Sequence, residues 1–92
     1  MWGPVQAFID GQRVARLATV DLAGAPHVVP VCFARLDDRL FIVIDEKPKR
    51  TTRLQRLKNI EAHPQAALTF DHYDDDWSRL AWVMLRGPAA VL

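Results

Sequence analysis

Cysteine is nearly missing from this 92-residue chain, and Cys32 is the only one. An internal disulfide is impossible and a cysteine-only metal site is excluded, which fits a reducing compartment. Glycine is sparse, and Gly3, Gly11, Gly24 and Gly87 form neither a dinucleotide fingerprint nor a P-loop. A nucleotide-like ligand must then be held by side chains and a helix end. Ser78 is the only serine. With tryptophan before it and no glycine elbow, it argues against a serine hydrolase. Charge of either sign is not in excess: the net charge is +1, so nothing pulls the chain as a whole toward nucleic acid or membrane. No apolar run is long enough to span a bilayer. The opening Met1-Trp2-Gly3-Pro4 lacks the basic and apolar regions of a signal peptide. The expectation is a cytoplasmic protein with no membrane and no nucleic-acid partner.

Half of the residues are hydrophobic and a quarter are charged, an ordinary globular composition. The length suits one domain, 1–92, whose small core makes a partner subunit or ligand valuable for stability. The charges are unevenly spread. Six of the twelve basic residues lie between Lys47 and Lys58, and four of the eleven acids lie in Asp71–Asp76.

Pro4–Arg13 reads as a short opening helix with Pro4 in its first turn, although Gly11 weakens it. Arg13–Val20 and Pro26–Leu36, joined by the turn residues Asp21–Ala25, read as a β-hairpin. Pro30 inside the second strand cannot donate to a ladder, so it marks an edge, a bulge or a ligand-facing point. Asp37-Asp38-Arg39 predicts a tight turn into a strand over Leu40–Ile44. Thr51–Ala62 predicts a helix, capped by Thr51 or Thr52, striped by Leu54, Leu57 and Ile60, and ended by His63-Pro64. Strands follow at Ala66–Asp71 and Leu80–Leu92. This order predicts an antiparallel sheet or barrel. The apolar end at Leu92 needs cover, from another chain or from the rest of a longer domain.

Lys47-Pro48-Lys49-Arg50-Thr51-Thr52 is the strongest candidate site. A helix start offers unpaired N–H groups and the positive end of the dipole, and Lys49 and Arg50 add charge-assisted bonds. That combination suits a phosphate; a solvated basic helix face is the plainer account. His27, His63 and His72 are scattered, and Asp71–Asp76 reads as a solvated acidic turn, so no metal site is expected. Cys32, in an apolar strand, reads as a buried thiol. Trp82 reads as core. Trp77, beside the acidic turn, either stacks on a ring ligand, packs at a subunit interface or joins the core.

Several segments together resemble a known family. Arg16-Leu17-Ala18-Thr19-Val20, Gly24-Ala25-Pro26-His27 and Pro30-Val31-Cys32-Phe33 are similar to the opening hairpin of the pyridoxamine-5′-phosphate-oxidase-like split barrels. Lys47–Ile60 resembles their phosphate-binding loop and helix. Gly87-Pro88-Ala89 resembles a later strand. Within that group, Lys47–Thr52, Leu54–Ile60 and Asp71–Ser78 look most like an actinobacterial branch that uses the deazaflavin coenzyme F420. The resemblance implies a mainly β fold with flanking helices (α+β), a split antiparallel β-barrel of the FMN-binding type, here C-terminally truncated. It implies a homodimer with the cofactor at its interface. The phosphate would meet Lys49, Arg50 and Thr51, with Lys47 and Thr52 next. The ring would lie along Val29, Pro30, Val31 and Cys32, and Pro30 leaves Val31 or Cys32 as the backbone donor. F420 would pass a hydride to a small organic substrate, with no side chain standing out as catalytic. FMN is the alternative cofactor. A non-catalytic module that carries the cofactor, or a haem-binding relative, is the alternative to an enzyme.

Overall fold

The computed structural model describes residues 3–42 and 55–91. Its elements are α1 (Gly3–Asp10), β1 (Val14–Val20), β2 (Pro26–Leu36), β3 (Arg39–Ile42), α2 (Gln55–Ala62), β4 (Gln65–His72) and β5 (Ala81–Pro88), with a short 3-10 turn at Trp77–Arg79. The strands form one antiparallel sheet in the order β3-β2-β1-β4-β5, a curled half-barrel flanked by the two helices. The meander β1-β2-β3 grows to one side. Helix α2 carries the chain back across, so that β4 pairs with the other side of β1.

Local chemistry explains the joints. Gly11 closes α1 by donating its N–H toward the carbonyls of Ala7 and Phe8. In the first hairpin the Asp21 carboxylate accepts from the N–H groups of Ala23 (2.9 Å) and Ala25 (2.8 Å). Gly24 there has φ +88°, a region that only glycine enters without strain. Asp37, in the β2–β3 turn, has φ 57°, which an aspartate tolerates better than most residues. Helix α1 is tied to that turn. Arg35 Nε donates to Asp10 Oδ1 at 2.7 Å and a terminal nitrogen of Arg35 donates to Oδ2 at 2.8 Å, while Gln6 and Arg35 both donate to the Asp37 carbonyl.

Alternation sorts the sheet into two faces. Ala15, Leu17, Val31, Leu68 and Phe70 point inward and meet Ile9 of α1, which completes the buried core. The row Leu85–Leu68–Leu17–Val29 crosses four strands in register. Phe33 meets Phe70 edge to face at 5.0 Å, a favoured aromatic geometry.

Four expectations need correcting. The strand predicted over Leu40–Ile44 begins at Arg39, and its residues beyond Ile42 lie outside the described ones. The last strand was expected to run to Leu92, but it ends at Pro88. Its partner there is Gln65, the first residue of β4, so the ladder runs out, and the Ala89 N–H turns to the Pro64 carbonyl instead. Trp82 is not core: it is 71% exposed on the outer face of β5. Cys32 is likewise an exposed thiol, not a buried one. Helix α2 shows a further surprise. Leu57 and Ile60 are only half-buried, and the residue driven into the sheet is Asn59. The start of the predicted helix, with Thr51, Thr52 and Leu54, lies outside the described residues.

Candidate functional site

The outer face of the sheet is unusual for a solvated surface, because it is apolar. Val14, Val20, Val28, Trp82 and Met84 are all exposed, as are Pro30 and Cys32. One register row runs Met84–Thr69–Arg16–Pro30 and a neighbouring one Arg86–Ala67–Ala18–Val28. The small residues Ala18 and Ala67 keep the middle of this surface low. Polar side chains interrupt it: Thr69 and Arg86 lie in these rows, and Arg16 pairs with Asp71 at 3.1 Å, half-exposed and therefore weakly. Exposed apolar side chains in this number suit a binding or subunit surface.

The four ring-site candidates on β2 divide between the faces. Val29 and Val31 turn inward and pack with the core. Pro30 and Cys32 turn outward and are exposed. The backbone divides in the same way. The Asp21 N–H donates to the Ala25 carbonyl at 3.0 Å. Antiparallel alternation then makes Thr19/His27, Leu17/Val29 and Ala15/Val31 the hydrogen-bonded pairs. Pro26 and Pro30 fall on the other phase, so neither forfeits a bond to β1. The Val31 N–H is committed to β1, while that of Cys32 points away from it. Strand β3 pairs only with Phe33–Leu36, so Pro30 sits on a stretch of β2 with no described strand on its far side. Of the three meanings open to Pro30, the unbroken register with β1 removes the bulge and leaves the edge or the ligand-facing point.

Lys47, Lys49, Arg50, Thr51 and Thr52 lie outside the described residues. The same basic run reaches into α2, however, at Arg56 and Lys58. Arg56 Nε is buried and has no hydrogen-bond partner among the described residues, and neither has His27 Nδ1. Helix α2 also carries a polar chain, buried at Asn59 and Thr19, that sequence reasoning missed. Gln55 Nε2 donates to Asn59 Oδ1 at 2.7 Å, and Asn59 Nδ2 donates to Thr19 Oγ1 at 3.0 Å. The signal available was that Asn59 is the only asparagine in the chain, four residues after Gln55 on one helix face.

Trp77 is 77% exposed at the β4–β5 connection. This end of the sheet also holds Trp82, paired with Asp71. Strands β4 and β1 separate it from Cys32 on β2, so one chain does not bring Trp77 onto the β2 surface. The acidic turn caps itself. Asp76 accepts from the Ser78 hydroxyl (2.7 Å) and N–H (3.1 Å), which together hold its carboxyl below the usual aspartate range. Asp74 accepts from the Asp76 N–H at 2.8 Å and lies 3.7 Å from His72 Nε2. Among the described residues no three metal-ligating side chains gather. Nor is any described helix long and apolar enough to cross a membrane. An open cleft of 550 Å³ lies between His63-Pro64-Gln65 and Arg86-Gly87-Pro88. No ring-site candidate lines it.

The donor set suits a flavin-type group in two respects. The flat apolar outer face at Pro30 and Cys32 matches a planar ring. A buried guanidinium nitrogen without an acceptor matches an anion.

The family model of pyridoxamine 5′-phosphate oxidase matches residues 1–92. Comparison with curated proteins finds no significant match. Among solved structures the chain is similar to HutZ, described as the heme storage protein from Vibrio cholerae, with a TM-score of 0.71 and 18% sequence identity. The alignment covers 94% of this chain and 58% of HutZ, so the chain spans less than two thirds of that relative's length. At this identity the likeness speaks for the fold.

Proposed function

We propose, from the premise that this chain belongs to the pyridoxamine 5′-phosphate oxidase family, that it is an oxidoreductase binding a flavin-type cofactor at the interface of a homodimer. The observation that carries this reading is the exposed apolar outer face, on which Pro30 and Cys32 of β2 lie beside Arg16, Val28 and, across the sheet, Met84 and Trp82. A second copy would cover that face and exclude water from the ring, and its own Trp77 or Trp82 could close what one chain leaves open. Cys32 would present its N–H to a polar edge of the ring, and Pro30 would offer a surface without a competing donor. Lys49, Arg50 and Thr51, with Lys47 and Thr52, would hold the phosphate, joined by Arg56. Bound there, the cofactor would supply hydride transfer to a small organic substrate. The basic run favours coenzyme F420, whose acidic tail is longer than that of FMN.

A fluorescence titration with F420 and with FMN tests the reading. Lys49→Ala combined with Arg50→Ala should weaken binding at least about a hundredfold, since each charge-assisted contact contributes about 1.5–3 kcal/mol. Unchanged affinity would refute the phosphate assignment. Tighter binding of FMN than of F420 would move the protein to the FMN-dependent side. The likeness to a heme storage protein favours one second reading, a non-catalytic haem carrier. Its signature would be a Soret band on haemin titration, lost on replacing one of His27, His63 or His72, with neither FMN nor F420 retained.

A further inference from the structure

A sheet that ends on an unpaired strand leaves a row of N–H and C=O groups without partners. Strand β5 is such an end in the sheet order. It is eight residues long, against four for β3 at the opposite end. One bond fixes its hydrogen-bonding phase. The Ala89 N–H donates to the Pro64 carbonyl at 3.0 Å, and these two residues continue the β4–β5 register. Antiparallel alternation then turns the backbone groups of Ala81, Val83, Leu85 and Gly87 toward β4, and those of Trp82, Met84, Arg86 and Pro88 toward the free edge. The free row has definite ends. Pro88 has no N–H, and the Leu80 N–H is committed to the Trp77 carbonyl at 3.2 Å. Trp82, Met84 and Arg86 remain between them, and among the described residues no strand pairs with their outer side. The usual defences of an edge are missing here. The register with β4 is unbroken, so there is no bulge, and Arg86 is the only charged residue of β5. Trp82 and Met84 are exposed.

We propose that this edge pairs antiparallel with β5 of a second copy, about a two-fold axis at Met84. In that register Met84 faces its own counterpart and Trp82 faces Arg86 of the second copy, and each facing pair exchanges both backbone hydrogen bonds. Pro88 falls opposite Leu80, so the ladder stops where neither side has a donor left. Charge selects the same register. It sets the Arg86 side chain beside an indole, which attracts a cation, whereas a register centred on Arg86 would oppose two cations. On the inner face Val83 meets Leu85 of the second copy, and both residues already pack against the core. The two-fold arrangement closes, whereas β5 laid on β3 of another copy would repeat head to tail. Edge pairing extends the sheet and leaves its outer face open, so it stands apart from the cofactor reading.

Sedimentation equilibrium of the chain and its variants tests this. Met84→Pro removes an edge N–H and, being on the free phase, costs no bond to β4. It should keep the circular dichroism spectrum and halve the mass of the assembly. Met84→Gln keeps the N–H and loses the apolar side chain, and it should keep the mass. A wild-type chain still monomeric at about 1 mM overturns the proposal, as does a Met84→Pro chain as large as wild type. Equal dissociation by Met84→Gln overturns it too, and points to the outer face instead. Should Met84→Pro not fold, cross-linking decides. In a Cys32→Ser background, Met84→Cys should form an intermolecular disulfide under mild oxidation, because facing Cα atoms of a hydrogen-bonded pair lie about 5.5 Å apart. Trp82→Cys should not, because its counterpart lies four residues away along the strand, about 13 Å. Cross-linking of both variants, or of neither, overturns the proposal.

Discussion

Replacing Phe70 by leucine tests which face of the sheet is the core and which is left for binding. Phe70 is fully buried and meets Phe33 edge to face at 5.0 Å. The aromatic pair contributes about 0.5–1.5 kcal/mol beyond its area. The smaller leucine leaves a residual void, at about 24 cal/mol per Å³. Together these give a loss of about 1–2 kcal/mol, from a total that for a domain of this size is about 5–14 kcal/mol. The midpoint of thermal unfolding should fall by about 4–8 °C for each kcal/mol. Trp82→Ala removes a larger side chain from the outer face, where a single chain gives it little to pack against. In dilute protein it should change stability by no more than about 0.5 kcal/mol. Urea denaturation followed by far-ultraviolet circular dichroism measures both. If Trp82→Ala costs as much as Phe70→Leu at low concentration, the outer face is packed within one chain and the assignment of faces fails. If the cost of Trp82→Ala grows with protein concentration, the face is covered by a second copy.

Three further outcomes follow from the same geometry. At dilutions that keep the chain monomeric, the exposed Cys32 thiol should react with iodoacetamide in the native state; protection under those conditions would contradict its placement. The Arg35 guanidinium holds the Asp10 carboxyl below the ordinary aspartate range. The stability from that pair is present above the unfolded aspartate pKa and lost as pH falls through the lower folded value. Asp10→Asn should therefore flatten the acid limb of a stability-versus-pH curve, and an unaltered limb would argue against the clamp. Gly24→Ala, at φ +88° with nothing within 4 Å of an added Cβ, should cost about 1 kcal/mol from backbone strain alone. A neutral result in thermal melting would show that the turn relaxes.

The elements were legible because they rest on local rules. Asp21–Ala25 with Gly24 makes a turn wherever it stands, His63-Pro64 stops a helix, and Arg13–Val20 alternates enough to read as a strand. The order of helix, three strands, helix and two strands follows, as does an antiparallel sheet. The register that puts Pro30 out of phase with the β1 hydrogen bonds needed the structure, but a proline in a strand had already restricted the choice.

The faces were not legible. Over His27-Val28-Val29-Pro30-Val31-Cys32-Phe33 both sets of alternate residues are apolar, and the same holds for Ala81–Leu85. Periodicity reports which residues share a face and not which face meets water. That was decided when α1 placed Ile9 against Ala15, Leu17 and Phe70, leaving Cys32, Met84 and Trp82 on the other side. Asn59 is the reverse case. Its residue type argues for a surface, and only β1, forty residues earlier in the chain, supplies the hydroxyl of Thr19 that lets it be buried. Sequence alone determined what each segment is, because turns, caps and alternation act over a few residues. Tertiary structure alone decided what each face is for, because burial depends on which distant segment arrives to cover it.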